Sequence, residues 1–185
     1  MINDCKITRK KLVQDWRSRL ALECPEQSVA NTDSIIGWLL VSRFKQYERL
    51  NPKEQKIVLQ EVDYRYQILR QRYLGIPKER AYRNLITRLG SLVTSRPSIQ
   101  IWIAKSHNHQ RIMLDVLQKV IQELLQSNNY MQQQITCIAK CTTDDSLKNA
   151  LLFASLEEYC LGSIGNQQLF VYHFINYLKK KNVLA

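Results

Sequence analysis

The chain has little of what breaks or staples a fold. Five glycines and four prolines occur in 185 residues, which excludes collagen-like and Gly/Pro-rich low-complexity classes. Pro52, Pro77 and Pro97 each follow a predicted helix end, where a residue without an N–H belongs. The five cysteines, Cys5, Cys24, Cys137, Cys141 and Cys160, are odd in number and scattered. A secreted disulfide scaffold is denser and usually even, so reduced thiols of a cytosol are expected. No segment approaches the ~20 apolar residues of a membrane span. The basic N-terminal residues have no apolar stretch behind them, so no secretory signal is expected.

What is present suits a folded, basic protein. At 185 residues with 45% apolar composition, the chain is long enough for one domain with a real core. The formal net charge of +11 speaks of partners rather than fold: nucleic acid, an anionic membrane surface or an acidic protein.

Apolar periodicity reads as helix throughout. Leu12, Trp16 and Leu20 mark a first helix behind Arg9-Lys10-Lys11. Ile36, Leu40, Phe44 and Tyr47 mark a second, opened by Thr32 or Asp33. Asn51-Pro52-Lys53-Glu54 is a capping box with proline at the first helical position. The helix it opens carries Val58, Val62, Tyr66, Leu69 and Tyr73 and stops at Gly75. A fourth begins at Pro77 with Ala81, Leu85, Leu89 and Leu92 as its buried row. Ile99–Ile103 alternates like a strand but has no partner strand, so a helical turn is preferred. The run from His109 to Gln126 is apolar over about half its circumference and is expected to be the central helix. Ser127-Asn128-Asn129-Tyr130 breaks it, and helical patterns resume at Met131–Ile138, Leu147–Leu161 and Phe170–Leu178. The expected fold is all-α, a compact bundle or orthogonal array of about seven to eight helices. It forms a single domain over 1–185, with a basic helical arm or helix pair at 1–50 and a core at 51–181.

Acidic charge is missing from one quarter of the chain. Between Tyr64 and Arg111 stand Arg65, Arg70, Arg72, Lys78, Arg80, Arg83, Arg88, Arg96, Lys105 and Arg111 against Glu79 alone, so 10 − 1 = +9 of the +11 lies there. Arginine outnumbers lysine eight to two, and its planar fork suits phosphate and guanine edges. Opposite the Leu85/Leu89/Leu92 row, Arg80, Arg83, Asn84, Thr87 and Ser91 make a donor-rich face. Tyr64, Tyr66, Tyr73 and Tyr82 are interleaved with this charge, and an exposed one has a face for sugar or base. The bland alternative is a solvated surface helix.

Leu74-Gly75-Ile76 fits the turn of a helix-turn-helix, and Ala81 fits its first anchor. The second anchor falls on Asn84, one short of Leu85, and the small-residue position falls on Gln71. The turn fits and the flanks do not. Cys137 and Cys141, one helical turn apart, and His107 with His109 suggest zinc, but two buried thiols and two solvent or cap histidines explain them better. Asp144 and Asp145 suit a helix start. Glu157 and Glu158 diverge by about 100° on a helix and do not act together easily. With no nucleophile context and no phosphate loop, the chain is expected to be no enzyme, with no metal and no cofactor. The apolar stripe of His109–Gln126 and the last helix leave a homodimer face, or a docking face for a sister protein, as a second use. A membrane-surface role is disfavoured because the basic segment lacks an exposed apolar face.

The strings YRYQILRQRYLG, AYRNLITRLGSLV, DVLQKVIQELLQSNNYMQQQ, LKNALLFASLEEYC and FVYHFINYLKK, in this order, resemble the N-terminal part of the cyanobacterial HetZ and HetZ-related family, over roughly Asn51 to Lys181. The resemblance implies a cytoplasmic, nucleoid-associated, DNA-binding regulator of heterocyst differentiation that works with sister proteins. It also implies a C-terminal helix-turn-helix region, expected to be absent from this sequence as either an excised domain or a short paralogue, a departure that counts against autonomous promoter recognition. DNA contact carries over to Arg65, Arg70, Arg72, Arg80, Arg83 and Arg88. It carries over more weakly to Arg96, Lys105 and Arg111, because neighbouring positions hold Ser, Gln, His or Gly where relatives carry arginine. Lys78, Asn84 and Thr87 join the candidate site through the helix face.

Overall fold

The computed structural model describes residues 9–41, 44 and 46–184; Cys5, Asp4 and Lys6 lie outside them. Among the described residues there is no strand. Nine α-helices follow in order: α1 Arg9–Glu23, α2 Val29–Leu40, α3 Pro52–Arg72, α4 Lys78–Thr94, α5 Pro97–Lys105, α6 His109–Ser127, α7 Asn129–Cys141, α8 Asp145–Leu161 and α9 Ile164–Lys180. The count exceeds the expected seven to eight, because short α5 and the break before α7 each delimit a separate helix.

Local chemistry sets most of the boundaries. Asn51 Oδ1 accepts from the Glu54 amide at 2.9 Å, and Glu54 accepts back from the Asn51 amide at 3.1 Å. Two orphan donors at the start of α3 are thereby satisfied. Asn128, Asp144 and Ser163 cap α7, α8 and α9 with one side-chain oxygen each, accepting from the amides of Met131, Leu147 and Asn166. Gly75 ends the α3 region at φ +72°, a left-handed conformation that costs other residues a Cβ clash.

The second helix differs from expectation. Ser28, not Thr32 or Asp33, caps it by accepting from the Asn31 amide. It ends at Leu40, so Phe44 and Tyr47 lie beyond it, Tyr47 in a 3-10 turn over Tyr47–Arg49. The two rings stay in the core, with centroids 4.5 Å apart.

The central helix is α8, not α6. Ten of its residues are buried, around nearly its whole circumference, and α2, α3, α4, α7 and α9 all pack on it. The signal lay in composition: Ala150, Ala154 and Ser155 let neighbouring helices approach from every side. The apolar stripe of α6 is one-sided, facing α4, α7 and α9, and leaves Leu114 exposed. One continuous core runs from Leu12 on α1 to Leu178 on α9. Within it, α2 buries Trp38 fully, and its indole N–H donates to Ser155 Oγ at 3.1 Å. On α1, Trp16 meets Tyr66 edge to face at 5.0 Å.

Candidate nucleic-acid interface

The α3–turn–α4 segment carries the arginine-rich quarter. Its two helices both dock on α8 rather than chiefly on each other. A helix-turn-helix pair supports its reading helix from the preceding helix; here α8 supplies that support.

This arrangement divides the basic residues into two sets. The first faces inward. Arg65 has no exposed surface, and its guanidinium lies 3.9 Å over the Trp38 ring. It donates to Gln134 and forms an ion pair with Glu158 at 3.2 Å. Arg65 is therefore a core residue and no phosphate contact, a correction to the sequence reading. The cause is helical phase: Arg65 shares the buried stripe with Val62, Tyr66 and Leu69.

Arg72 and Arg88 converge on Glu157, whose side chain is 1% exposed; the Arg88 contact is 2.7 Å. Tyr73 donates its hydroxyl to the same carboxylate at 2.8 Å. Burial, and then the Glu157 charge, raise the Tyr73 phenol above its ordinary value. Arg70 pairs with Glu23 at 3.4 Å. Glu23 also accepts from Tyr66 at 2.6 Å and from Arg19 at 3.3 Å. The Tyr66 hydrogen bond, ahead of the two guanidinium groups, holds Glu23 below the usual carboxylate range. Arg70 and Arg88 keep about 40% of their side chains in solvent, so they stand at the edge of the surface rather than on it.

Sequence reasoning missed that Glu157 and Glu158 are the counter-ions. They diverge around α8, as adjacent helical residues must, and each serves a different arginine group. A signal existed. Two carboxylates inside the apolar run Leu151–Leu161 are costly unless partnered, and the arginine excess was the available partner.

The second set faces outward. Lys78, Arg80 and Arg83 are exposed on the first turns of α4, with no carboxylate at ion-pair distance among the described residues. Thr87 lies one turn beyond Arg83 and is exposed, and its hydroxyl donates to the Arg83 carbonyl at 2.9 Å. Asn84 is half-buried at the flank of this face. Ala81, Leu85, Leu89 and Val93 bury the opposite side, which fixes the direction in which the face points. Lys105 at the end of α5 and Arg111 near the start of α6 are exposed too. Arg96 is half-buried in the α4–α5 connection, with its Nε inaccessible to solvent.

Tyr66 and Tyr73 are core. Tyr82 is half-buried, with its ring 6.0 Å from Phe153. Tyr64 is exposed but lines a groove with Glu61, Tyr130 and Tyr159, to which α4 contributes nothing. Base stacking by the interleaved tyrosines therefore has no support at α4. Among the described residues, no three His, Cys, Asp or Glu side chains converge as metal ligands, so His107 and His109 do not join Cys137 and Cys141. No helix among the described residues is long and apolar enough to cross a membrane. No protein-family profile matches this chain, and no curated protein or solved structure matches it significantly.

Proposed function

We propose that this chain is a DNA-binding domain of a transcription regulator, of the heterocyst-differentiation type that its HetZ-like strings imply, acting at the nucleoid. One observation carries the reading. The outward face of α4 presents Lys78, Arg80 and Arg83 beside Glu79, none of the three cations at ion-pair distance from a carboxylate among the described residues, on a helix packed into the core by its opposite side. Cations that lack internal partners, on a rigid support, gain most from phosphate, because each contact releases condensed counter-ions. Lys105 on α5 and Arg111 on α6, both exposed, are further cations available to phosphate. Any reading of bases falls to Arg80, Arg83, Asn84 and Thr87, since arginine and asparagine forks match purine edges.

The test is a duplex-binding titration across salt. Three to five phosphate contacts give a log–log slope of about −3 to −5. Replacing Arg80 and Arg83 together by alanine should weaken binding at least tenfold at low salt and flatten the slope by about 2. An affinity that does not change with salt rejects the reading.

A second reading rests on a different observation. Ile164, Leu169 and Tyr172 of α9 are exposed at 75%, 42% and 60%, and Arg65, Arg70, Arg72 and Arg88 are already held by internal carboxylates. Those facts favour an adaptor that docks on a sister regulator, or on a second copy, without touching DNA. Retardation of random duplex in a gel at low salt separates the two, because the adaptor retards none.

A further inference from the structure

Cys137 and Cys141 stand on successive turns at the C-terminal end of α7. Their sulfurs lie 3.9 Å apart, and both side chains are half-buried. They open onto a groove of about 660 Å³ lined also by Val41, Gln133, Thr136 and Lys140. Cys141 is fixed in place: its sulfur packs 3.5 Å from where a Cβ on Gly37 would sit, and its carbonyl accepts from Ser34 Oγ at 2.6 Å.

The geometry disfavours a disulfide. Residues four apart on a helix hold their Cβ atoms about 5–6 Å apart, whereas a disulfide needs about 3.5–4.5 Å. Closing the bond would unwind the last turn of α7, which the Ser34 contact and the packing of α2 hold. The same separation suits a bridging ion. Two sulfurs about 2.3 Å from one centre and 3.9 Å from each other subtend about 116° at it. That bent angle leaves a third position open to the groove.

We propose that Cys137 and Cys141 form a two-thiol site for a soft, thiophilic ion of low coordination number, monovalent copper or trivalent arsenic, with one further ligand supplied from solution. Thiol sulfur selects soft ions. A zinc site with four protein ligands is excluded among the described residues, since only two are at hand. Cys24 and Cys160 are fully in the core and do not compete.

Phenylarsine oxide is the probe for the metalloid arm. It condenses with two thiols, forming two As–S bonds. The arsenic–oxygen bond breaks, the oxygen leaves as water with both thiol protons, and arsenic stays trivalent. The full chain carrying Cys5→Ser should take up one equivalent, seen as one added phenylarsenic group by intact-mass spectrometry, with Cys137 and Cys141 protected from iodoacetamide. In the copper arm the same protein should hold one equivalent of Cu(I) against a chromophoric chelator. Cys137→Ser should reduce retention at least tenfold in whichever arm binds, which also identifies the ion. Protection mapping uses the unaltered pair, so it stands even where a variant misfolds. Absence of stoichiometric uptake in both arms overturns the proposal. So does uptake that leaves Cys137 and Cys141 open to alkylation.

Discussion

Glu157 holds two guanidinium groups and one phenol on a single buried carboxylate. Removing one member of such a cluster strands the others, whereas removing a solvated pair strands nothing. Glu157→Gln should therefore destabilise the fold by about 3 kcal/mol, at the low end for a broken buried pair, because Arg72 and Arg88 keep part of their surface in water. Arg70→Ala, which breaks only the half-exposed pair with Glu23, should cost less than about 1 kcal/mol. Urea unfolding midpoints of the two variants measure the contrast. Equal shifts would mean that the Glu157 cluster is no more than surface electrostatics. Sequence alone showed the arginine excess but not its division. The partners of Arg72 stand 85 positions away, and no local pattern records such a pairing.

Individual helices were legible where their signals are local. The Asn51 capping box, the Asp144 cap and the break at Asn128 all appear in the fold, because each depends on a side chain and a backbone amide within a few residues. The start of α2 was missed because Thr32 and Asp33 are equally good caps on paper; Ser28 takes the role since Val29 and Ala30 already continue the helix. The central position of α8 was missed because apolar periodicity rewards a one-sided stripe, and α8 is buried on all sides. Gly75 lies in the turn between α3 and α4. Its φ of +72° with no neighbour within reach of a Cβ makes the cost of substitution purely conformational. Gly75→Ala should cost about 1 kcal/mol, seen as a lower thermal midpoint with unchanged helical circular dichroism. An unchanged midpoint would show that the turn tolerates an ordinary residue.

The molecule as a whole keeps several acids protonated. Burial pushes the Cys141 and Cys160 thiols up to about 12, and raises the phenols of Tyr66 and Tyr73 above their ordinary value. A group raised on folding adds stability that is complete below its unfolded value and is lost as pH climbs towards its folded one. The thermal midpoint should thus hold to about pH 8–9 and fall steeply by about pH 11; a flat profile over that range would contradict the burial of these groups. Chain order has a further consequence. Arg65, Arg72 and Arg88 leave the ribosome before the two glutamates that neutralise them. At about 5–20 residues per second, the 85-residue interval lasts roughly 4 to 17 seconds. For that time Arg72 stands without its internal counter-ion, and only synthesis of α8 supplies the carboxylates that Arg65, Arg72 and Arg88 pair with.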